Sequence, residues 1–277
     1  SQLTDDSIAV LEKGPLPETG GSTVHAPGGL RQSNSNKTMS QLAQYSQQLY
    51  RDLDAIGSAG SLEIATNEAE WEYIKRKKDY STSWGVEESE LLTPQEVAEY
   101  HPLVDTSKIV GGYYVPSDGK IETIELLTTL RDRAIEQGAT VHPHTEVTDI
   151  EVVDGQVQSV VTDKGTIETS QVLNAANIWA PLIGEMVDVD IPLAPAEHQY
   201  VVTDSIDELT GTKGDETPGL RYQGASLYFH RHGSGYGIGN YNHTARLVDP
   251  HTIPDHEDAI EQAPVNGYEV GDDFRSR

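Results

Sequence analysis

A short apolar run that ends in an acid, Ile8 to Leu11 followed by Glu12, constrains this chain more than any other feature. In a dinucleotide-binding βαβ unit, the acid closing the second strand accepts hydrogen bonds from the adenosine ribose. It ordinarily stands about 20 residues beyond a glycine-rich turn, G-x-G-x-x-G. Here seven residues precede the run and none of them supplies that turn. The stretch therefore reads as a buried strand of a nucleotide-binding domain, entered beyond its phosphate-binding loop.

Charge narrows the function classes. The 45 acidic residues against 19 basic ones leave a net charge of -26. Such a field disfavours nucleic acid and anionic membrane surfaces as partners. The acids are spread along the chain among Ser, Thr and Gly, not gathered in one block as in a disordered acidic tail. The reading is a halophilic, cytoplasmic protein, with a merely acidic mesophilic protein as the alternative. The chain has no Cys, which excludes disulfides, thiolate chemistry and Cys-ligated metals. No apolar run approaches the roughly 20 residues of a membrane span, and no signal-peptide pattern is visible.

At 277 residues the chain suits one large or two ordinary domains. Residues 13–35 are rich in Gly, Pro, Ser and Asn and read as an irregular loop. Met39, Leu42, Tyr45, Leu49, Leu53 and Ile56 then follow helical spacing, with Gly57 as the stop. Residues 61–66 alternate like a strand, and Asn67 with Glu70 opens a helix carrying Trp71 and Ile74. Lys75, Arg76, Lys77 and Lys78 on that helix read as a solvated face. Thr93-Pro94-Gln95-Glu96 starts another helix, which must end before Pro102.

Residues 111–119 look like a strand running into a turn. Ile124, Leu127, Leu130, Ala134 and Ile135 mark an amphipathic helix with Gly138 at its end. An antiparallel meander follows over 145–172, with Asp154-Gly155 and Lys164-Gly165 at its turns. Residues 172–186 read as a buried strand entering a helix. Strand-like pieces come after it, and 251–277 reads as an irregular tail. The alternation of α/β and α+β pieces predicts one domain inserted discontinuously into another.

Seven words carry a family likeness: VLEKGPL (10–16), GGSTVHAPG (20–28), GSLEIAT (60–66), YYVPSDG (113–119), VLNAANIWA (172–180), EHQYVVT (197–203) and LYFHRHGSGYGIGNY (227–241). In this order they resemble the dimethylglycine oxidase, dimethylglycine dehydrogenase and sarcosine dehydrogenase group, within the D-amino acid oxidase superfamily. The resemblance covers about residues 7–250. It implies an α/β, glutathione-reductase-type FAD-binding domain, here partial, interleaved with an α+β substrate domain built on a mixed sheet. The FAD-binding parts would be 1–57 and 119–187, and the substrate parts 58–118 and 188–250. The group's later return to the FAD domain and its folate-handling C-terminal region are not in this sequence.

The resemblance also assigns roles. Glu12 would bind the ribose, and His25 would bond covalently to the flavin's 8α-methyl, an imidazole being a competent nucleophile. Val147 would present backbone to the adenine edge, and Ala175 and Ala176 would let backbone approach the flavin. Asn177 departs from the group's usual Gly; a side chain there would either crowd the cofactor or adopt the left-handed conformation that Asn tolerates. His198 and its partner Tyr228 would face the flavin, orient an amine and manage its proton. The implied reaction is hydride transfer from an N-methyl amino acid to flavin N5, the resulting iminium yielding formaldehyde. Oxygen or an electron-transfer protein would be the acceptor.

Two other readings stand beside this one. An incomplete or remnant flavoprotein would act as a subunit or binding protein, another chain supplying the FAD-binding segment. A related FAD enzyme would act on another amine or on glycerol phosphate; the His25 motif argues against it, because such relatives mostly hold FAD noncovalently. His142 with His144, and His230 with His232, form H-x-H pairs without a further ligand at a compelling spacing, so no metal site is assigned.

Overall fold

The computed structural model describes residues 7–17, 21–57, 59–198, 200–211 and 217–253. The chain opens with β1 (Ala9–Leu11), α1 (Ser22–His25), β2 (Gly29–Leu30), α2 (Lys37–Asp52) and β3 (Ser61–Ala65). Next come α3 (Glu68–Ser83), β4 (Glu90–Leu92), α4 (Pro94–Tyr100), β5 (Gly111–Val115), β6 (Gly119–Lys120) and α5 (Thr123–Glu136). They are followed by β7 (Thr140–His142), β8 (Val147–Val153), β9 (Gln156–Thr162), β10 (Gly165–Glu168) and α6 (Ala180–Glu185). The last elements are β11 (Tyr200–Val202), β12 (Gly219–Tyr222), β13 (Leu227–His232) and β14 (Gly235–Asn240). The result is a mixed α/β fold divided into two compact units.

The first unit takes the described residues up to 26, together with 123–197 and 245–253. Within it β1 pairs in parallel with β7, and α5 packs against β7 and α1. β8, β9 and β10 form the expected antiparallel meander. Its first turn has positive φ at both Asp154 (53°) and Gly155 (76°), the conformation that a two-residue hairpin with the proper twist demands.

Two expectations fail in this unit. β1 is not buried: Val10 is 43% exposed, because β7 is its one strand neighbour among the described residues. Residues 172–176 form no strand, and Leu173 is 90% exposed. Two local hydrogen bonds hold the segment instead. Asn174 Nδ2 donates to the Ala180 carbonyl at 3.0 Å, and the Ala176 N–H donates to Asn174 Oδ1 at 3.2 Å. The tail expectation is tested over 251–253, where a 3-10 turn spans Pro250–Thr252; residues 254–277 lie outside the described residues.

The second unit takes 27–122 and 198–244 and is built on a seven-stranded sheet in the order β11-β14-β13-β12-β3-β5-β4. Only β12 and β3 run parallel; the other neighbours are antiparallel. Alternation along the strands separates two faces. One face carries Leu62, Ile64, Leu92 and Leu220 against Val97 of α4. The other carries Ala65, Tyr113 and Val115 under Ile74 and Trp71 of α3. Capping sets where these helices begin: Asn67 accepts from the Glu70 N–H, and Thr93 with Glu96 forms a full capping box.

Residues 27–57 belong to this second unit, so the first boundary lies at 26/27 and not at 57/58. The reason is a buried carboxylate. Asp118 accepts from the Gln32 N–H at 2.9 Å, from Gln47 Nε2 at 3.3 Å and from Ser61 Oγ at 2.5 Å. Those bonds tie α2 and the segment before it to the β5–β6 turn. The same tie turns α2 over: Ser40 and Gln47 are buried, whereas Leu42 is 55% and Tyr45 70% exposed. The expected loop at 13–35 contains α1 and β2, the latter pairing with β6.

Candidate active site

The second unit brings His198 and Tyr228 together. His198 Nε2 and Tyr228 Oη are 2.8 Å apart. Tyr228 stands on β13, directly opposite Gly239 of β14, which in turn lies opposite Tyr200 of β11. Any Cβ on Gly239 would overlap the Tyr228 ring, and one on Gly237 would overlap Tyr200. The two glycines thus form a shelf on which both rings lie, a close approach that only glycine permits.

Aromatic groups enclose the pair. The Tyr241 ring stacks on His198 at 4.4 Å between centroids, and His243 lies at 5.9 Å. Burial, with the charge of His243 as a second cause, lowers the His198 pKa below its ordinary value. Burial, reinforced by Tyr241 and Tyr200, raises that of Tyr228. At neutral pH both groups are therefore uncharged, and the Tyr228 hydroxyl donates to Nε2 or accepts from it according to the imidazole tautomer. A second pair of the same kind lies beside it: Tyr200 Oη and His232 Nε2 are 2.7 Å apart, and burial pushes Tyr200 up to about 12.

The remaining expected residues lie in the first unit. Glu12 follows β1, its N–H donating to the His142 carbonyl at 3.0 Å and its Oε1 accepting from the Gly14 N–H at 2.7 Å. His25 closes α1 with an exposed ring. Val147 opens β8 opposite Thr162. Ala175 is exposed and Ala176 half-buried, just before Asn177, whose φ of 51° is left-handed, the second of the two alternatives open for it. This donor set fits a flavin nucleotide: an acid at a strand end for hydroxyls, accessible backbone beside small side chains, and an accessible imidazole. Among the described residues, no group of three or more His, Asp or Glu could hold a metal ion, and no helix is long and apolar enough to cross a membrane.

Sequence reasoning missed Tyr241, Tyr200 and Arg221. Arg221 on β12 lies directly opposite Tyr228. The signal was there: two strands joined by the short connection 223–226 place residues 221 and 228 side by side on one face.

Known proteins bear on both units. A model of the family described as FAD dependent oxidoreductase matches residues 2–263. Dimethylglycine dehydrogenase of human mitochondria is 30% identical over 247 residues, 87% of this chain and 28% of that protein. Sarcosine dehydrogenase of mouse mitochondria is 31% identical over 254 residues, 87% of this chain and 27% of that protein. Among solved structures, L-proline dehydrogenase from P. horikoshii superimposes with a TM-score of 0.79 at 27% identity, over 94% of this chain and 69% of that one. The chain thus spans little more than a quarter of the length of the two curated relatives.

Proposed function

We propose that this chain, which belongs to the family of FAD dependent oxidoreductases, oxidises an N-methyl amino acid of the dimethylglycine or sarcosine class. The observation that carries the proposal is the His198–Tyr228 pair, 2.8 Å apart on the glycine shelf. An amine gives up hydride only when its nitrogen holds a free electron pair. An uncharged His198 can take the ammonium proton, and Tyr228 can hold the nitrogen by its hydroxyl. Tyr241, stacked on His198, fixes the imidazole plane. Bound FAD supplies the two-electron acceptor for the hydride. Water then adds to the substrate iminium and releases formaldehyde with the demethylated amine.

In this proposal Glu12, Val147, Ala175 and Ala176 hold the cofactor and His25 is its covalent anchor. Oxygen or an electron-transfer protein reoxidises it. The test uses the protein purified at high salt with FAD. Dimethylglycine or sarcosine should be oxidised with release of formaldehyde. Tyr228→Phe and His198→Gln should each lower kcat/KM about 100-fold, the scale of general acid–base work, without loss of fold. A fluorescent flavin band on a denaturing gel should vanish in His25→Ala. Failure of the wild-type protein to oxidise any N-methyl amino acid sinks the proposal.

A further inference from the structure

Helix α2 presents an uncharged seam to solvent. Thr38, Leu42, Tyr45 and Leu49 follow one another at spacings of four and three, so they run in one line down the helix. All four are exposed, whereas Ser40 and Gln47 are buried on the opposite side. No charged residue occurs over 38–50. Arg51, just beyond, is turned inward to Gln47 Oε1 and the Ser117 carbonyl.

This seam is out of keeping with the rest of the chain. With 45 acids in 277 residues, an acid falls about every six positions. The two longest runs without one are 19–51 and 217–248. The second supplies β12, β13 and β14, each flanked by strands on both sides, where burial excludes charge. The first supplies α2, whose outer side lacks acids and yet lies open. Exposed apolar seams of this kind mark contact surfaces, whose centres are poor in charge and rich in aromatic side chains. Molecules that each carry a net charge of -26 repel one another, and a face without acids is where two of them can meet.

The few charges beside the seam specify the occupant. Lys37 and Asp52 lie on the same flank, eight positions before Tyr45 and seven after it. Lys37 has no ion pair among the described residues. When two helices pack antiparallel about a twofold axis, like flanks meet and opposite ends come together. With the axis at Tyr45, Lys37 of each copy faces Asp52 of the other, and the uncharged seams meet between them. A parallel pair would set like charges against each other.

We infer that α2 is a self-association face, on which a second copy of this chain docks antiparallel through Leu42, Tyr45 and Leu49. The inference is independent of the reaction proposed above. A single helix pair stands at the small end of stable interfaces, so dissociation is expected at about 1 to 100 μM. At greater dilution single copies predominate, and their fold does not depend on this face.

The test is sedimentation equilibrium of the FAD-loaded protein across that range, in about 0.5 M KCl, where repulsion between copies is screened within a few ångström. The wild-type protein should pass from monomer to dimer. Tyr45→Glu sets two carboxylates near the axis and should weaken association at least 10-fold, with the melting temperature of the dilute protein unchanged. Lys37→Glu and Asp52→Lys should each weaken it about 3- to 10-fold, the scale of two exposed ion pairs reversed to repulsion. Both substitutions suit the dipole of α2, an acid at its start and a cation at its end, so neither acts by unravelling the helix. The double variant should regain wild-type association, which only an antiparallel pairing of these two residues predicts. A monomer at every concentration overturns the inference and leaves the face to another partner. A dimer indifferent to Tyr45→Glu places the contact elsewhere, and a double variant no better than the single ones refutes the antiparallel pairing.

Discussion

His101 shows what burial does to a single titratable group in this fold. It is 1% exposed, its Nε2 lies 2.6 Å from the Pro218 carbonyl, and its Nδ1 lies 3.1 Å from Tyr236 Oη. The carbonyl can only accept, so the proton sits on Nε2 and Tyr236 donates to Nδ1. Burial pushes His101 down to about 4, and does the same to His230 on the site face. An unfolded histidine titrates near 6.5. Between those values the unfolded chain binds the extra proton and the folded one does not, so stability falls as pH drops from 6.5 towards 4. Each fully shifted histidine accounts for about 3 kcal/mol across that window. Asp118, whose carboxyl burial pushes up, acts with the opposite sign. Urea midpoints measured from pH 7.5 to 4 should therefore decline, and His101→Gln should flatten the decline. An equally steep decline in the variant would show that His101 is not shifted.

Helix α2 shows that periodicity and burial can part company within one element. Its apolar positions follow helical spacing, and Asn36 caps it by accepting from the Met39 N–H at 2.9 Å. Yet its inward side is polar, because the buried Asp118 needs donors. Gln47 supplies one, and Ser40 Oγ donates to the Gln32 carbonyl at 2.6 Å. The usual rule for mutations therefore inverts. Leu42→Lys should change stability by less than about 0.5 kcal/mol. Gln47→Leu, which removes a donor from a buried carboxylate, should cost about 1 to 3 kcal/mol. Thermal melts of the two variants check this ranking, and a larger loss for Leu42→Lys would contradict it.

At the scale of the whole molecule, charge dominates. Ion pairs such as Lys75–Glu72 at 2.7 Å and Arg133–Glu136 at 3.3 Å join exposed side chains and contribute little. Each pair cancels one charge of either sign, so the net charge of -26 stands in full. Self-repulsion of that size opposes the compact state. The screening length is about 10 Å at 0.1 M salt and about 3 Å at 1 M, so repulsion between neighbouring surface acids fades over that range. The melting temperature should rise from 0.1 M to molar KCl. A flat or falling curve across that range would contradict the halophilic reading.

The residues themselves specified much of this protein, because local interactions leave local marks. Asp154-Gly155 must turn a hairpin, Thr93 with Glu96 must open a helix, and the ordered words around His25, His198 and Tyr228 marked the family. Tertiary structure decided what depends on partners distant in sequence. The buried Asp118 drew residues 27–57 into the second unit and turned the polar side of α2 inward. Strand pairing set Arg221 beside Tyr228, and the glycines of β14 made room for its ring. Val172 and Leu173 are apolar enough for a buried strand, yet stay exposed because no described strand pairs with them. Apolar character states that a side chain favours burial; which surface covers it is set by contacts that a local pattern does not contain.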